Sequence, residues 1–332
     1  MIIGLTYDLR SEYLAMGYSE DETAEFDRDD TITALEDTLR SLGHRTDRIG
    51  TGRKLTERLA AGDRWDMVFN IAEGLSGSGR EAQVPAILDL YGIPYTFSDP
   101  LVMSLTLHKG MTKRILRDNG IPTSDFVVVE YAADDIHIPF SPPYFIKPVA
   151  EGTGKGVSPA SIIRQAERVK PACAQMIDVF RQPVLLEPYL PGREFTVGII
   201  GTGKDAVTLG TMEVLLGEKA EAGVYSYVNK EQSEERVTYR LVPADADITV
   251  KTAEEVSLEA WRALGCRDGG RIDLRCDEKG NPLFMEVNPL AGLHPEHSDL
   301  PILCGLIGIS YRTLIERILS SAMSRIPASK MR

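Results

Sequence analysis

The feature that most constrains this chain is a pair of alternating segments. They are Gly270-Arg271-Ile272-Asp273-Leu274-Arg275 and Phe284-Met285-Glu286-Val287-Asn288-Pro289, with Asp277-Glu278-Lys279-Gly280-Asn281-Pro282 between them. The spacer is dense in turn formers, and period-two alternation on both flanks is the pattern of an antiparallel hairpin. Successive strand side chains take opposite faces. Arg271 and Asp273 therefore share a face, as do Glu286 and Asn288, with Met285 and Val287 opposed to them. Pairing brings the polar faces together. An Asp, a Glu and an Asn on rigid strands make an oxygen-donor set suited to Mg²⁺, which also takes phosphate oxygens. No His or Cys accompanies them, as zinc would require. The plainer reading is a solvated strand face with Arg271 paired to Asp273.

A second constellation points to a nucleotide. Lys147 ends an apolar strand over 144–147 and precedes the glycine-rich loop Glu151-Gly152-Thr153-Gly154-Lys155-Gly156. Glycines let a backbone close over phosphates, and Lys109 and Lys155 supply further positive charge. The loop is not a Walker A motif, because Gly156 follows Lys155 where Ser or Thr is required. Alone it reads equally as a surface turn. Glu187-Pro188-Tyr189-Leu190 ends another apolar strand, where Glu187 is placed to take adenine amino hydrogens and Glu194 the ribose hydroxyls. A solvated strand end is the plainer alternative for Glu187.

The rest of the chain alternates short strands with helical periods. Residues 2–7, 45–49 and 66–71 read as strands, and Ile32, Leu35, Leu39 and Leu42 mark a helix between the first two. That order predicts a parallel sheet with helices on its faces. Helices are expected over 105–119, 162–180, 250–264 and 311–323, and strands over 126–129, 184–187 and 194–200. The expected units are residues 1–103, 104–187 and 188–332, a length of 332 residues matching two to three of them. With 43% hydrophobic residues the chain can bury a core. Its net charge of −12 argues against nucleic acid or an anionic membrane as partner. The opening residues lack a basic stretch followed by an apolar run, no segment reads as a membrane span, and Cys173, Cys266, Cys276 and Cys304 form no Cys-x-x-Cys pair. A cytoplasmic protein with reduced thiols is expected.

The order of these segments resembles the ATP-grasp superfamily and, within it, the D-alanine–D-alanine ligase family. A Lys-bearing helix is followed by Phe-Ile-Lys-Pro and the glycine-rich loop. Glu-Pro-Tyr-Leu-Pro-Gly-Arg-Glu-Phe-Thr-Val, Gly-Arg-Ile-Asp-Leu and Met-Glu-Val-Asn-Pro come next. The resemblance covers nearly all of the chain after residue 66, including Gly92-Ile93-Pro94-Tyr95-Thr96. It implies a mixed α/β (α+β) fold of three units, led by a parallel-sheet N-terminal domain. It implies ATP and two Mg²⁺ ions, with Mn²⁺ able to substitute, and small carboxylate and amine substrates joined through an acyl phosphate. A homodimer through the N-terminal unit is also implied. Lys109, Lys147 and Lys230 would contact phosphates, with Glu151, Gly152 and Thr153 in the covering loop. Glu187, Tyr189, Leu190, Glu194 and Phe284 would surround adenine and ribose. Asp273, Glu286 and Asn288 would bind the metal ions, and Arg271 and the Gly292 N–H would stabilise an oxyanion. Ser298 and Leu300 would border the amine substrate.

The sequence departs from the family at the first substrate. Thr153 stands where the family's loop carries a Ser, and Glu231 where its network has a Tyr. The N-terminal Glu completing that network is assigned to Glu12 within a longer, differently composed segment over 11–30. His294 and His297 lie in a segment that reads as one residue longer than the family's substrate loop, as a pH-sensitive contact or as ordinary loop residues. Residues 218–222 and 231–236 form a lid or a solvated loop. Two other readings remain at this point: an ATP-grasp ligase of unrelated specificity, and a non-catalytic nucleotide-binding regulator.

Overall fold

The structure is a computed structural model and describes residues 1–326, apart from the side chain of Glu231. Three sheets organise it. The first is parallel, with β1 (Ile2–Thr6) between β2 (Arg45–Gly50) and β3 (Met67–Asn70). β1 and β3 are buried and read as apolar runs, while the edge strand β2 keeps polar residues over 45–48. Ile3, Leu5 and Phe69 pack on one side against Leu35 and Leu39 of the helix Asp29–Ser41. Val68 and Ile49 pack on the other against Leu55, Leu59, Val84 and Leu88.

The second sheet has the order β4 (Val127–Val129), β7 (Val184–Pro188), β5 (Tyr144–Pro148), β6 (Ile162–Ile163), all antiparallel. The helix Val169–Phe180 shares its core through Val169 and Cys173. The third has the order β10 (Val237–Leu241), β9 (Val207–Leu216), β8 (Glu194–Ile200), β11 (Gly269–Cys276), β12 (Pro282–Asn288). Its apolar face packs on the helix Ile248–Leu264, where Trp261 is fully buried. The described residues contain no helix long and apolar enough to cross a membrane.

Several expectations are corrected. The helix expected over 105–119 is two, Pro100–Leu107 and Lys109–Asp118, broken at His108, whose Nδ1 caps the second by accepting from the Met111 N–H at 3.2 Å. The helix expected over 162–180 begins at Val169. Ile162 and Ile163 instead pair with Phe145 and Tyr144, as β-branched residues do at a free sheet edge. The final helix, Tyr311–Ser324, falls in the expected third unit by sequence position, yet its Leu314, Ile315 and Ile318 complete the core of the first sheet. This shared core fixes the N-terminal unit beside the third sheet.

Candidate active site

The nucleotide cleft opens between the second and third sheets. Lys109, Lys147, Glu151, Glu187, Tyr189, Leu190, Glu194, Lys230, Asp273 and Glu286 all line it. They come from two facing antiparallel sheets, the helix starting at Lys109, the glycine-rich loop that carries Glu151, and the segment over 217–236. Strand alternation explains why each presents its polar side there.

Glu187 is the electrostatic centre of one end of the cleft. It is buried, and its Oε1 accepts from Lys113, in a short contact, and from Ser124 at 2.8 Å, while Lys147 Nζ lies 3.2 Å from Oε2. Burial alone would raise this carboxyl, but the Lys113 and Lys147 charges and the hydrogen bonds outweigh it and hold it at about 2. Both carboxylate oxygens thus fix lysines, while Glu187 also lines the cleft, where the sequence reading put an acceptor for adenine. Lys113 was missed in the sequence, although its position four residues after Lys109 puts both on one helical face.

At the phosphate end, Lys109 Nζ donates to Glu151 O at 2.5 Å and lies 3.4 Å from Glu286 Oε2. Lys155 pairs with Glu151 at 2.7 Å. Asp273 and Glu286 are directly opposite in the β11–β12 register, as are Arg271 and Asn288. Asp273 Oδ1 accepts from Thr196 Oγ1 at 2.9 Å, and Oδ2 from Arg271 and, at 3.4 Å, from Asn288 Nδ2. Burial raises the Asp273 carboxyl, Arg271 opposes this, and the Glu286 charge adds to it. Glu286 is depressed, burial being outweighed by Lys109, Lys147, Lys230 and Arg271. No group of three or more His, Cys, Asp or Glu forms a metal cluster among the described residues. Two close carboxylates with one amide still fit a hard divalent ion, whose charge would relieve the Asp273–Glu286 repulsion.

The hairpin departs from simple alternation at one point. The register shifts between Asp273 and Leu274, so that Asp273 opposes Glu286 but Leu274 opposes Phe284. Met285 is the extra residue of a β-bulge. It lines the cleft beside Glu286, while Phe284 is almost fully buried against the Trp261 core. The assignments of Phe284 to the nucleotide site, and of Met285 to the opposite face, are both corrected.

Two further cavities adjoin the cleft. One of about 110 Å³ is bounded by Lys109, Gly152, Thr153, Arg271, Glu286, Asn288 and Gly292. The other, of about 450 Å³, is bounded by Thr153, Tyr225, Lys230, Arg271, Gly292, His294, His297, Ser298 and Asp299. Arg271 and Gly292 therefore stand where both meet. The Gly152 N–H donates to Glu25 Oε1 at 2.6 Å, and a Cβ there would lie 2.8 Å from that oxygen, so the Glu25 carboxylate would have to shift to admit one.

The comparisons with known proteins agree with this geometry. The profile for the D-ala D-ala ligase C-terminus matches residues 115–320. A D-alanine–D-alanine ligase of Bordetella petrii is 34% identical over 277 residues, 82% of this chain and 80% of that protein. This chain belongs to the D-alanine–D-alanine ligase family. An uncharacterized protein of Sinorhizobium fredii, y4sG, is 33% identical over 263 residues, 78% of this chain and 75% of its own. The fold is similar to the D-alanine–D-alanine ligase of Bacillus anthracis, with a TM-score of 0.75 at 21% identity over 98% of both chains. The same enzyme complexed with ATP gives 0.73.

Within this D-alanine–D-alanine ligase fold, the first-substrate network differs from the sequence assignment. Glu12 lies outside the cavities and pairs with Lys54 at 3.0 Å on the surface. Glu25 reaches the glycine-rich loop instead, but its carboxylate is engaged by the Gly152 N–H and by Arg80 at 2.8 Å. Its identity had no local signal, because the approach depends on how residues 16–28 fold back. Thr153 lines both cavities, and its Oγ1 has no hydrogen-bond partner among the described residues. Glu231 ends the short helix Tyr227–Glu231, and its side chain lies outside the described residues.

Ser298 borders the larger cavity and accepts from the His294 N–H at 2.9 Å. Leu300 is corrected: its side chain is fully buried in the core shared with β1, and Asp299 takes the position at the cavity wall. Asp299 lies 3.6 Å from Arg271 Nε and accepts from Tyr225, which hydrogen-bonds Tyr239 at 2.6 Å. His294 pairs with Asp30 at 3.4 Å and packs on His297, the ring centres 4.5 Å apart.

Proposed function

We propose that this protein is an ATP-dependent, ADP-forming ligase that joins a small carboxylate to an amine through an acyl phosphate. One observation carries the proposal. Lys109, Glu286, Asp273 and Arg271 converge where the nucleotide cleft meets two substrate cavities. Phosphate-binding cations, oxygen donors for a divalent ion and donors for an oxyanion thus surround one point.

In this reading the lid and the two sheets hold ATP with its γ-phosphate toward Lys109 and Lys230. A substrate carboxylate in the smaller cavity attacks the γ-phosphorus, ADP leaves, and an acyl phosphate forms. The lysines neutralise charge and align the attack, which is most of what phosphoryl transfer asks of a protein. Mg²⁺ held by Asp273, Glu286 and Asn288 would supply charge neutralisation at the phosphates. An amine from the larger cavity then attacks the acyl carbon, and phosphate departs with the C–O bond electrons. Arg271 and the Gly292 N–H stabilise the oxyanion of that step. The amine's proton passes to phosphate or solvent, and no protein nucleophile is consumed.

The altered network at Thr153 and Glu25 favours substrates other than two D-alanines. ADP and phosphate release from ATP and Mg²⁺, screened over D- and L-amino acids, dipeptides and small amines, tests both levels. Release with D-alanine, and D-alanyl-D-alanine by mass spectrometry, would identify the family's own reaction. Release with another pair would identify a ligase of changed specificity. Silence across the panel would count against the ligase reading and favour a nucleotide-binding regulator.

A further inference from the structure

Arg271 is held on two sides. Asp273 meets it in a short contact, and Asp299 Oδ2 lies 3.6 Å from its Nε. The side chains of Arg271 and Asp299 are 11% and 10% exposed, so the second partner is nearly as sheltered as Arg271 itself. Asp273 also belongs to the oxygen set that suits a divalent ion. Asp299 is therefore the counter-ion that Arg271 keeps to itself. An acid in the first turn of a helix is ordinary, because it faces the helix dipole. This one is also rigidly placed. Its helix, Asp299–Leu306, is anchored by the fully buried Leu300 and Leu303. The helix lies so close on β8 that a Cβ at Gly198 would come within 2.8 Å of Leu303 Cδ2.

The other oxygen of Asp299 meets the segment over 217–236. Oδ1 accepts from Tyr225 at 3.4 Å, and Tyr225 hydrogen-bonds Tyr239 of β10 at 2.6 Å. Burial, and then the Asp299 charge, raises both phenols, so each stays a donor. The Tyr225 ring carries Lys230 on its face, with Nζ 4.7 Å from the centroid. Its neighbours pack on the glycine-rich loop, where a Cβ at Gly154 would lie 2.9 Å from the Tyr227 N. One side chain thus joins the lysine assigned to phosphate to the carboxylate behind Arg271. The contacts of Asp299 are a few tenths of an ångström long, and bonds of this kind tighten when ligands fill a site.

We propose that Tyr225 and Asp299 are positioning residues that aim Arg271 at the oxyanion of the amine-transfer step. The segment over 217–236, seated on the cleft, fixes Tyr225; Tyr225 and the helix fix Asp299; Asp299 fixes the Arg271 guanidinium. The role of Arg271 rests on the ligase reading, whereas its alignment rests on the contacts alone. Loss of Tyr225 or Asp299 leaves Arg271 present but misaimed, and a displacement of about 1 Å at such a group can cost about 10²-fold in rate.

Two measurements on the full chain test this. The first needs no substrate. Heteronuclear NMR follows the Arg271 Nε–H with Mg²⁺ and a non-hydrolysable ATP analogue, assigned by its loss in Arg271→Lys. In the wild type this proton should exchange with solvent more slowly once the analogue is added. Asp299→Asn and Tyr225→Phe should each speed the exchange about tenfold or more, as loss of a charge-assisted hydrogen bond does, with the melting temperature within a few degrees of wild type. No slowing in the wild type, or the wild-type rate in either variant, would overturn the proposal. The second measurement reads ligated product and ADP over the panel of D- and L-amino acids, dipeptides and small amines. Each variant should lower kcat and product per ADP about tenfold, with the ATP KM within about twofold. Asp299→Asn should add nothing in an Arg271→Ala background, because the two act as one unit. An additive loss, or a raised ATP KM at unchanged kcat, would also overturn it. A wild type silent across the panel but behaving as expected in the NMR would remove the ligase reading and leave the alignment standing.

Discussion

The nucleotide cleft and the smaller substrate cavity share Lys109 and Glu286, yet they treat charge in opposite ways. In the cleft the glutamates have counter-ions: Glu187 has Lys113 and Lys147, Glu194 has Arg275 at 3.3 Å, and Glu286 has Lys109. In the cavity, Glu73 and Glu81 have no ion pair and Thr153 Oγ1 no hydrogen-bond partner among the described residues. A site serving a ligand common to a whole superfamily can be preorganised with its own ion pairs, which lowers the cost of ordering on binding. Polar groups that lack a partner in a binding site are what make discrimination between ligands steep.

The largest effects are expected where the two regions meet. Asp273→Ala and Glu286→Ala should abolish ATP turnover, measured as ADP release, with circular dichroism unchanged. Turnover at the wild-type rate in both would remove the metal assignment. Arg271→Ala should slow ligation by roughly 10²- to 10³-fold, as loss of one oxyanion donor does, with ATP affinity little altered. A normal rate with weakened ATP binding would place Arg271 on the nucleotide side of the comparison.

Next in size is a test of the paired cleft. Lys113→Met removes one partner of a buried carboxylate and should cost about 3 kcal/mol in urea denaturation. A change near zero would mean that Lys147 and Ser124 suffice for Glu187. The pH dependence follows from the same group. Its folded pKa, about 2, lies below its ordinary 4.5. Its contribution is therefore fully present above about pH 4.5 and is lost as pH falls toward 2. Glu187→Gln should flatten that limb of the stability profile, and an unchanged limb would locate acid sensitivity elsewhere. The smallest effect belongs to Glu12, which pairs with Lys54 on the surface. Glu12→Ala should leave turnover unchanged and cost under about 1 kcal/mol. A tenfold loss of turnover would reinstate it as a substrate residue.

Much of the fold and of the nucleotide site was legible along the chain, for an identifiable reason. Period-two alternation in β11 and β12, the turn between them, and the lysine and glycine-rich loop after β5 are local patterns. Local geometry converts such patterns directly into faces and cavities. The bulge at Met285 escaped because one extra residue reverses a face without altering composition. Leu300 and Phe284 escaped because position along a strand or helix does not say which side another core will cover.

What the sequence determined by itself was the order of strands and helices, the family, and the set of residues able to hold phosphates and a divalent ion. Tertiary structure alone decided which glutamate reaches the glycine-rich loop, which lysine neutralises Glu187, and that Glu73 and Glu81 share a cavity with Arg271. Those facts depend on contacts between residues as far apart as 25 and 152, or 113 and 187. Pairing of charge is set by which groups the packed core brings within a few ångströms, and no local period carries that information.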